Sequence, residues 1–325
     1  MRPLPLCLAL ALSVLVASMA EDSLAASGPQ RVGIIHHGGE WLSFVDGLRQ
    51  GLHAAGIEEG KHVVLEIRET KGDLQAVEAA AKELERARVD VIVTASTSVS
   101  MGAKRATTQV PIVFFAGSDP VAAGLVESFA RPGGRLSGVH GLTRDLTAKR
   151  LELLKHLLPK LSRVISIFNP DNRSTQLALP LARGAARKMS LQLVERHART
   201  VDELRGVVQT ISPQEFDAFF QITDAMVTAG ALVVIEAARE KRLPTMFHET
   251  SLCDKGGLFC YGQNYREVGR VAAKFVQRVL AGTAPRDLPV ENWDKIELVV
   301  NRRTARQIGV AIPSGMLLRA DRAIE

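Results

Sequence analysis

Short apolar runs alternate along this chain with longer stretches in which apolar positions return every three or four residues, the signatures of buried strands and amphipathic helices. Arg31 to Ile35 predicts a strand, Phe44 to Ala55 a helix, and the alternating His62 to Arg68 a half-buried strand. Leu74 to Arg86 follows as a helix with Asp73 in position to cap it, then Val89 to Ala95 as a continuous apolar strand. Ser98 to Ala106 predicts a helix and Pro111 to Phe115 a further buried strand. Asp119-Pro120, an N-cap followed by proline at the first helical position, predicts one more helix, closed by Arg131-Pro132-Gly133-Gly134.

Beyond Ser137 to Leu142 the same order begins again. Helix Asp145 to Leu158, strand Arg163 to Phe168, helix Thr175 to Met189 and strand Gln192 to Arg196 lead to a capping-box pattern at Thr200 and Glu203. Strand Phe216 to Ile222, helix Thr228 to Lys241 and strand Leu243 to Phe247 complete the second run. Continuous apolar strands separated by amphipathic helices imply parallel sheets covered on both faces. The fold class is therefore α/β, with two doubly wound parallel-sheet lobes joined by a hinge. A single eight-stranded barrel is the competing architecture, and the interruption at Arg131 to Leu142 argues against it.

The chain's start changes this picture. Arg2, the apolar run Leu4 to Val16 and the small residues Ala17-Ser18-Met19-Ala20 form the pattern of a secretory signal peptide, assigned here to residues 1–26. The run is shorter than a membrane span and is followed by Glu21-Asp22. A soluble, exported protein of the periplasm is expected, and the remaining chain is long enough for two cores. Removing residues 1–20 leaves 40 basic and 35 acidic residues, spread along amphipathic segments, so no nucleic-acid partner is expected. Cys253 and Cys260 either pair in an oxidising compartment or remain two buried thiols.

In open parallel sheets ligands sit beyond the carboxyl ends of the strands, and here the loops at those ends are polar. They carry His36-His37-Gly38-Gly39 with Trp41, Ser96-Thr97-Ser98, Gly117-Ser118-Asp119, Asn169, Thr223-Asp224 and His248-Glu249. Two facing lobes would turn both sets into one cleft for a small molecule. Ser98 and Asp119 also suit helix capping, which is compatible with presenting backbone N–H groups to a carboxylate. Trp41 is either a helix-face core residue or a stacking wall. Asp224 and Glu249 are placed to pair with a ligand ammonium, or are solvated loop acids. Convergence of His36, His37, His140 and His248 near Glu249 would instead suit a transition-metal ion or metal chelate. No nucleophile elbow, zinc-protease pair, dinucleotide turn or P-loop occurs, so neither an enzyme nor a cofactor is expected.

Several segments resemble the ABC transporter substrate-binding proteins of the tryptophan/tyrosine type, which have a type I periplasmic binding protein fold. They include Ala103 to Thr108, Pro111 to Phe114, Ser118 to Val126, Ala130 to Gly134, Lys149 to Lys155, Gly256-Gly257-Leu258 with Tyr261-Gly262, and Glu297 to Asn301 with Arg319-Ala320-Asp321. The resemblance implies capture of an amino-acid-like or carboxylate-bearing molecule and its delivery to a separate permease with its ATPase. A periplasmic sensor docking on a membrane receptor would use the same residues. The resemblance adds Tyr261 and Asn264 to the expected ligand contacts and implies a monomer. It divides the chain into residues 27–140 plus 257–284 as one lobe and 141–256 plus 285–325 as the other. His36-His37, His248-Glu249 and the two cysteines depart from the usual pattern, so the resemblance does not name the ligand.

Overall fold

The computed structural model describes residues 28–325 apart from Pro213, so the expected export signal lies outside the described residues. The first sheet contains β1 (Gln30–His36), β2 (Val63–Glu69), β3 (Val91–Ala95), β4 (Ile112–Ala116), β5 (Leu136–Gly141) and β11 (Glu291–Trp293), in the order β11-β5-β4-β3-β1-β2. Every pair in it is parallel. The second sheet orders β13 (Arg322–Ile324), β12 (Glu297–Asn301), β10 (Phe259–Gln263), β9 (Thr245–Glu249), β8 (Ala218–Phe220), β6 (Arg163–Phe168) and β7 (Gln192–His197). It is parallel except where β12 runs against β10. Two doubly wound lobes are thus present, and each central strand is buried along its length because helices cover both faces.

In the first lobe, α1 (Trp41–Ala54) and α10 (Tyr265–Leu280) pack on one face, α2 (Leu74–Arg86) and α3 (Thr97–Ala106) on the other. The α1–α10 contact depends on missing side chains: a Cβ on Gly269 would lie 2.1 Å from the Phe44 carbonyl oxygen, and one on Gly47 1.9 Å from that of Arg266. In the second lobe, α4 (Thr147–Leu157) and α5 (Arg173–Lys188) share one core with the sheet. On the opposite face lie α6 (Val201–Gln209), α7 (Ala225–Ala229) and α8 (Ala231–Glu240), with α9 (Ser251–Asp254) beside them. Helices α11 (Arg302–Ile308) and α12 (Ser314–Leu317) close that lobe.

Three expectations are corrected. No helix follows Asp119: its Oδ1 caps Val121 and Ala122, but Gly124 turns into the left-handed region at φ +70° and ends the segment after one turn. The segment expected as one helix from Thr228 is broken at Gly230 into α7 and α8. Two of the lobe passages also move. Strand β10 ladders with β9, so the second passage lies at Asn264 rather than beside Gly256. Strand β11 ladders with β5, so residues 291–293 belong to the first lobe and the third passage comes after Trp293. Backbone pairing, which cannot be left unmade inside a sheet, decides both boundaries.

Cys253 and Cys260 form a disulfide with Cα atoms 6.0 Å apart, tying α9 to β10. No helix among the described residues is long and apolar enough to cross a membrane.

Candidate ligand-binding site

The carboxyl ends of both sets of parallel strands face each other and enclose a narrow cavity of about 10 Å³. The first lobe contributes Trp41, Ser96, Thr97, Phe115, Gly117 and Tyr265; the second contributes Ser174, Thr223, Asp224, Ala225 and His248, with Thr143 on the first passage between lobes. A wider depression bordered by Gln30, Asp90, Arg135 and Thr283 lies at the opposite, amino ends of the strands. Its polar residues are exposed or half-buried and converge on nothing, so the inter-lobe cavity is the candidate site.

The first-lobe wall is aromatic. Trp41, the first residue of α1, stacks on Tyr265, the first residue of α10, at 4.6 Å and 15° between planes. Phe115 meets the Tyr265 ring edge-on at 5.4 Å. Beside them β3 ends at Ser96, whose Oγ accepts from the Val99 N–H as the cap of α3. Ser96 is held at φ +114°, a conformation that costs a non-glycine residue on the order of 1–3 kcal/mol and recurs at ligand sites.

The second-lobe wall is polar and equally dry. Asp224 is buried, so it is not a solvated loop acid. Its Oδ2 accepts from the Asn169 N–H (2.9 Å) and the Thr175 hydroxyl (2.7 Å), and its Oδ1 from the Val227 N–H (3.0 Å). The carboxylate also lines the cavity. Burial raises its pKa against those hydrogen bonds. His248 Nδ1 lies 2.9 Å from Gln221 Oε1, and Gln221 Nε2 donates to Thr228 Oγ1. Gln221 Oε1 must therefore accept from Nδ1–H, which leaves His248 Nε2 to accept from the Tyr265 hydroxyl at 3.3 Å. Burial and then the nearby Arg150 charge hold His248 well below its ordinary pKa, so the ring is neutral.

Contacts across the cleft show a closed arrangement. Trp41 Nε1 donates to the Ala225 carbonyl at 3.1 Å, and Tyr265 reaches His248. Gly39, at φ +57°, sits so tightly on the second lobe that a Cβ there would lie 1.8 Å from the Ala229 carbonyl oxygen. Beside the cavity, Ser251 Oγ makes hydrogen-bond contacts with the carboxyls of both Glu40 and Glu249, donating its one proton to only one of them, and Lys255 pairs with Glu40. Glu249 is also buried; burial and the Glu40 charge push its pKa up to about 8.

Of the residues read from the sequence, Trp41, Ser96, Thr97, Gly117, Thr223, Asp224 and His248 line the cavity. The others do different work. His36 is turned into its own loop, where Nδ1 accepts from the Gly38 N–H; Ser98 pairs with Ser96. The Ser118 N–H donates to Thr97, Asp119 caps its turn, and the Asn169 N–H donates to Asp224. Glu249 braces the lobe interface, Asn264 caps α10, and Tyr261 packs on the second-lobe core. The four histidines do not converge: His37 pairs with Thr70 and His140 with Asn292, and among the described residues no three His, Cys, Asp or Glu side chains gather as a metal site. Phe115, Thr143, Ser174, Ala225 and Tyr265 were not expected. Phe115 lies on a strand buried on both faces, where alternation is silent, and Tyr265 follows Asn264, the cap of α10, which marks the helix start but not the direction of the next side chain.

The chain is similar to several known proteins. A curated relative, a tyrosine-binding protein of Clostridioides difficile, is 27% identical over 264 residues, covering 81% of this chain and 75% of the relative. Among solved structures, a conserved domain protein from Vibrio cholerae is 26% identical with a TM-score of 0.81, covering 90% of this chain and 99% of that one. An ABC domain from Streptococcus pneumoniae in complex with L-Trp is 22% identical with a TM-score of 0.79, over 91% and 100%. A ligand-free, open substrate binding protein with adhesive properties from Clostridium difficile is 25% identical with a TM-score of 0.59, over 91% and 99%. The model of the ABC transporter substrate binding protein family matches residues 32–324. With two lobes closed on a dry, mixed aromatic and polar cavity, and that match along nearly all the described residues, the chain belongs to the ABC transporter substrate binding protein family.

Proposed function

We propose that this protein is an exported, monomeric receptor of the periplasm that closes on a free amino acid and hands it to an ABC importer, a permease with its ATPase. The observation that carries this reading is one enclosed cavity holding a stacked aromatic wall opposite a buried carboxylate. An α-amino acid has three parts to satisfy. The buried Asp224 carboxylate takes the ammonium as a charge-assisted hydrogen bond. The start of α3 at Ser96 and Thr97 offers its positive dipole end to the carboxylate. The side chain lies against Trp41, Phe115 and Tyr265.

The relative named for tyrosine and the L-Trp-bound structure support the ligand class. The shape supports hinge closure: similarity is higher to the L-Trp-bound structure than to the ligand-free, open one. A ligand touching both walls binds only the closed form and shifts the population toward it. The apolar start of the chain supports export.

A thermal-shift screen of the purified protein against the common amino acids, simple carboxylates and sugars tests this reading. A rise in melting temperature with one or more amino acids is expected. Stabilisation by sugars alone, or by none of the set, rejects the ligand class.

A further inference from the structure

Arg150 is a charge that the protein does not balance by itself. It projects from α4 close to the first passage between the lobes and is completely shielded from solvent. Nη1 donates to the Thr143 carbonyl at 2.8 Å, and Nη2 donates to Thr147 Oγ1 at 3.1 Å and to Thr223 Oγ1 at 3.4 Å. Nε is buried without a partner. Among the described residues no carboxylate forms an ion pair with it; the ionisable neighbours acting on it are the phenols of Tyr265 and Tyr261. Burial lowers its pKa to about 9, so it remains a cation at neutral pH.

A buried charge ordinarily has a counter-charge, because removing an ion from water costs several kcal/mol that neutral acceptors offset only in part. Glu40 follows that rule with Lys255, whereas Asp224, like Arg150, is met by neutral partners alone. Arg150 stands directly behind two cavity-lining residues, Thr143 and Thr223. The Thr223 hydroxyl spends its proton on a long contact of 3.4 Å to the Thr143 carbonyl, which Arg150 already satisfies at 2.8 Å. That proton is free to turn to a better acceptor.

We infer that Arg150 is a specificity-determining positioning residue that acts through Thr223. A carboxylate at the Thr143–Thr223 end of the cavity accepts from the Thr223 hydroxyl, whose oxygen accepts from Arg150 Nη2. The ligand then supplies the missing negative charge, and the cleft demands it as a free acid. A bulkier contact is unnecessary, since the field of an unscreened cation in a dry site reaches across one hydroxyl. This inference rests on the reading of the cleft as an amino-acid receptor. The competing role is a brace: Arg150 holds the first inter-lobe passage through Thr143 and Thr147 and has no part in recognition.

The test is calorimetric titration of the purified protein with L-tyrosine and L-tryptophan, their α-amides, and tyramine and tryptamine. It uses the wild type, Arg150→Lys, Arg150→Met and Thr223→Val. Wild type is expected to prefer the acids over the amides roughly 10- to 100-fold, the range for a hydrogen bond to a charged group. Arg150→Met and Thr223→Val should narrow that preference by weakening the acids more than the amides, and Arg150→Lys should restore part of it. Equal binding of acids and amides by wild type overturns the inference even if no variant folds. Full preference retained in Arg150→Met, with only a lower melting temperature, assigns the brace and leaves the carboxylate to α3. Binding of the amines without the acids removes Arg150 from recognition but leaves a receptor for aromatic ligands. If no compound of the set binds, the aromatic amino-acid reading falls, and the role of Arg150 with it.

Discussion

The two walls of the cleft are built from the same kind of strand-end loop, yet they divide the work. The first-lobe wall is rigid and apolar: Trp41, Tyr265 and Phe115 lean on one another and on α1 and α10, whose approach is sealed by Gly47 and Gly269. The second-lobe wall carries the charge and the hydrogen-bond code, with Asp224, Thr223 and His248 each oriented by a buried partner. In the proposed binding mode the first lobe meets the ligand side chain and, at the start of α3, its carboxylate, while the second meets its ammonium. Only closure presents both to the same molecule, which makes capture of the wrong ligand incomplete rather than merely weak.

Replacing parts of each wall tests the division. Trp41→Ala should have the largest effect, because it removes the stack and the inter-lobe hydrogen bond together; a loss of about 3–5 kcal/mol in ligand binding is expected by titration calorimetry, similar for every aromatic amino acid. Asp224→Asn keeps acceptor capacity for the α7 cap but removes the charge. It should cost about 1.5–3 kcal/mol for amino acids and little for analogues lacking the ammonium. If both variants weaken all ligands alike, the walls are not specialised.

Reduction of the Cys253–Cys260 disulfide, or Cys253→Ser with Cys260→Ser, should lower unfolding stability by about 2 kcal/mol, since the loop it closes is short. Chemical denaturation measures it. Ligand selectivity should not change, because the bridge lies in the second-lobe core and does not line the cavity.

The smallest effect per step is that of pH. Burial lowers the pKa of His36 to about 4 and that of His37 to about 3, where burial is joined by the His36 charge. The unfolded chain therefore takes up these protons first, and stability is lost as pH falls below 6.5. Glu249 acts in the opposite sense: its pKa rises from 4.5 to about 8, so the folded form holds a proton that the unfolded form has released. That contribution is lost as pH rises across the same interval. Melting temperature should peak near pH 6.5, and Glu249→Gln should flatten the decline between 6.5 and 8. A profile unchanged by that substitution would remove Glu249 as its origin.

Much of this architecture was legible before any coordinates. Continuous runs such as Val91–Ala95 and Ile112–Ala116 can only be strands buried on both faces, and the polar residues that end them, Ser96, Thr97, Gly117, Thr223 and Asp224, reach the cleft because strand ends face it. Asp119 with Pro120 shows the limit of local rules: the cap forms, but a glycine five residues on in the left-handed region ends the helix that the cap began. The passages between lobes were misplaced because β10 and β11 choose their sheets by long-range pairing that no local pattern records.

What the sequence determined by itself is therefore the periodicity, the strand ends and the family, all properties of neighbouring residues or of their order. What only the tertiary structure decided is which side chains lose water together. Arg150 stands among Lys149, Glu152 and Lys155 in what reads as an ordinary solvated helix face, and it becomes a dry cation only because the segment around Thr143 folds over it. Tyr265 likewise meets Trp41 from more than two hundred positions away. Desolvation is a collective property of distant segments, and it sets both the charge and the selectivity of this cleft.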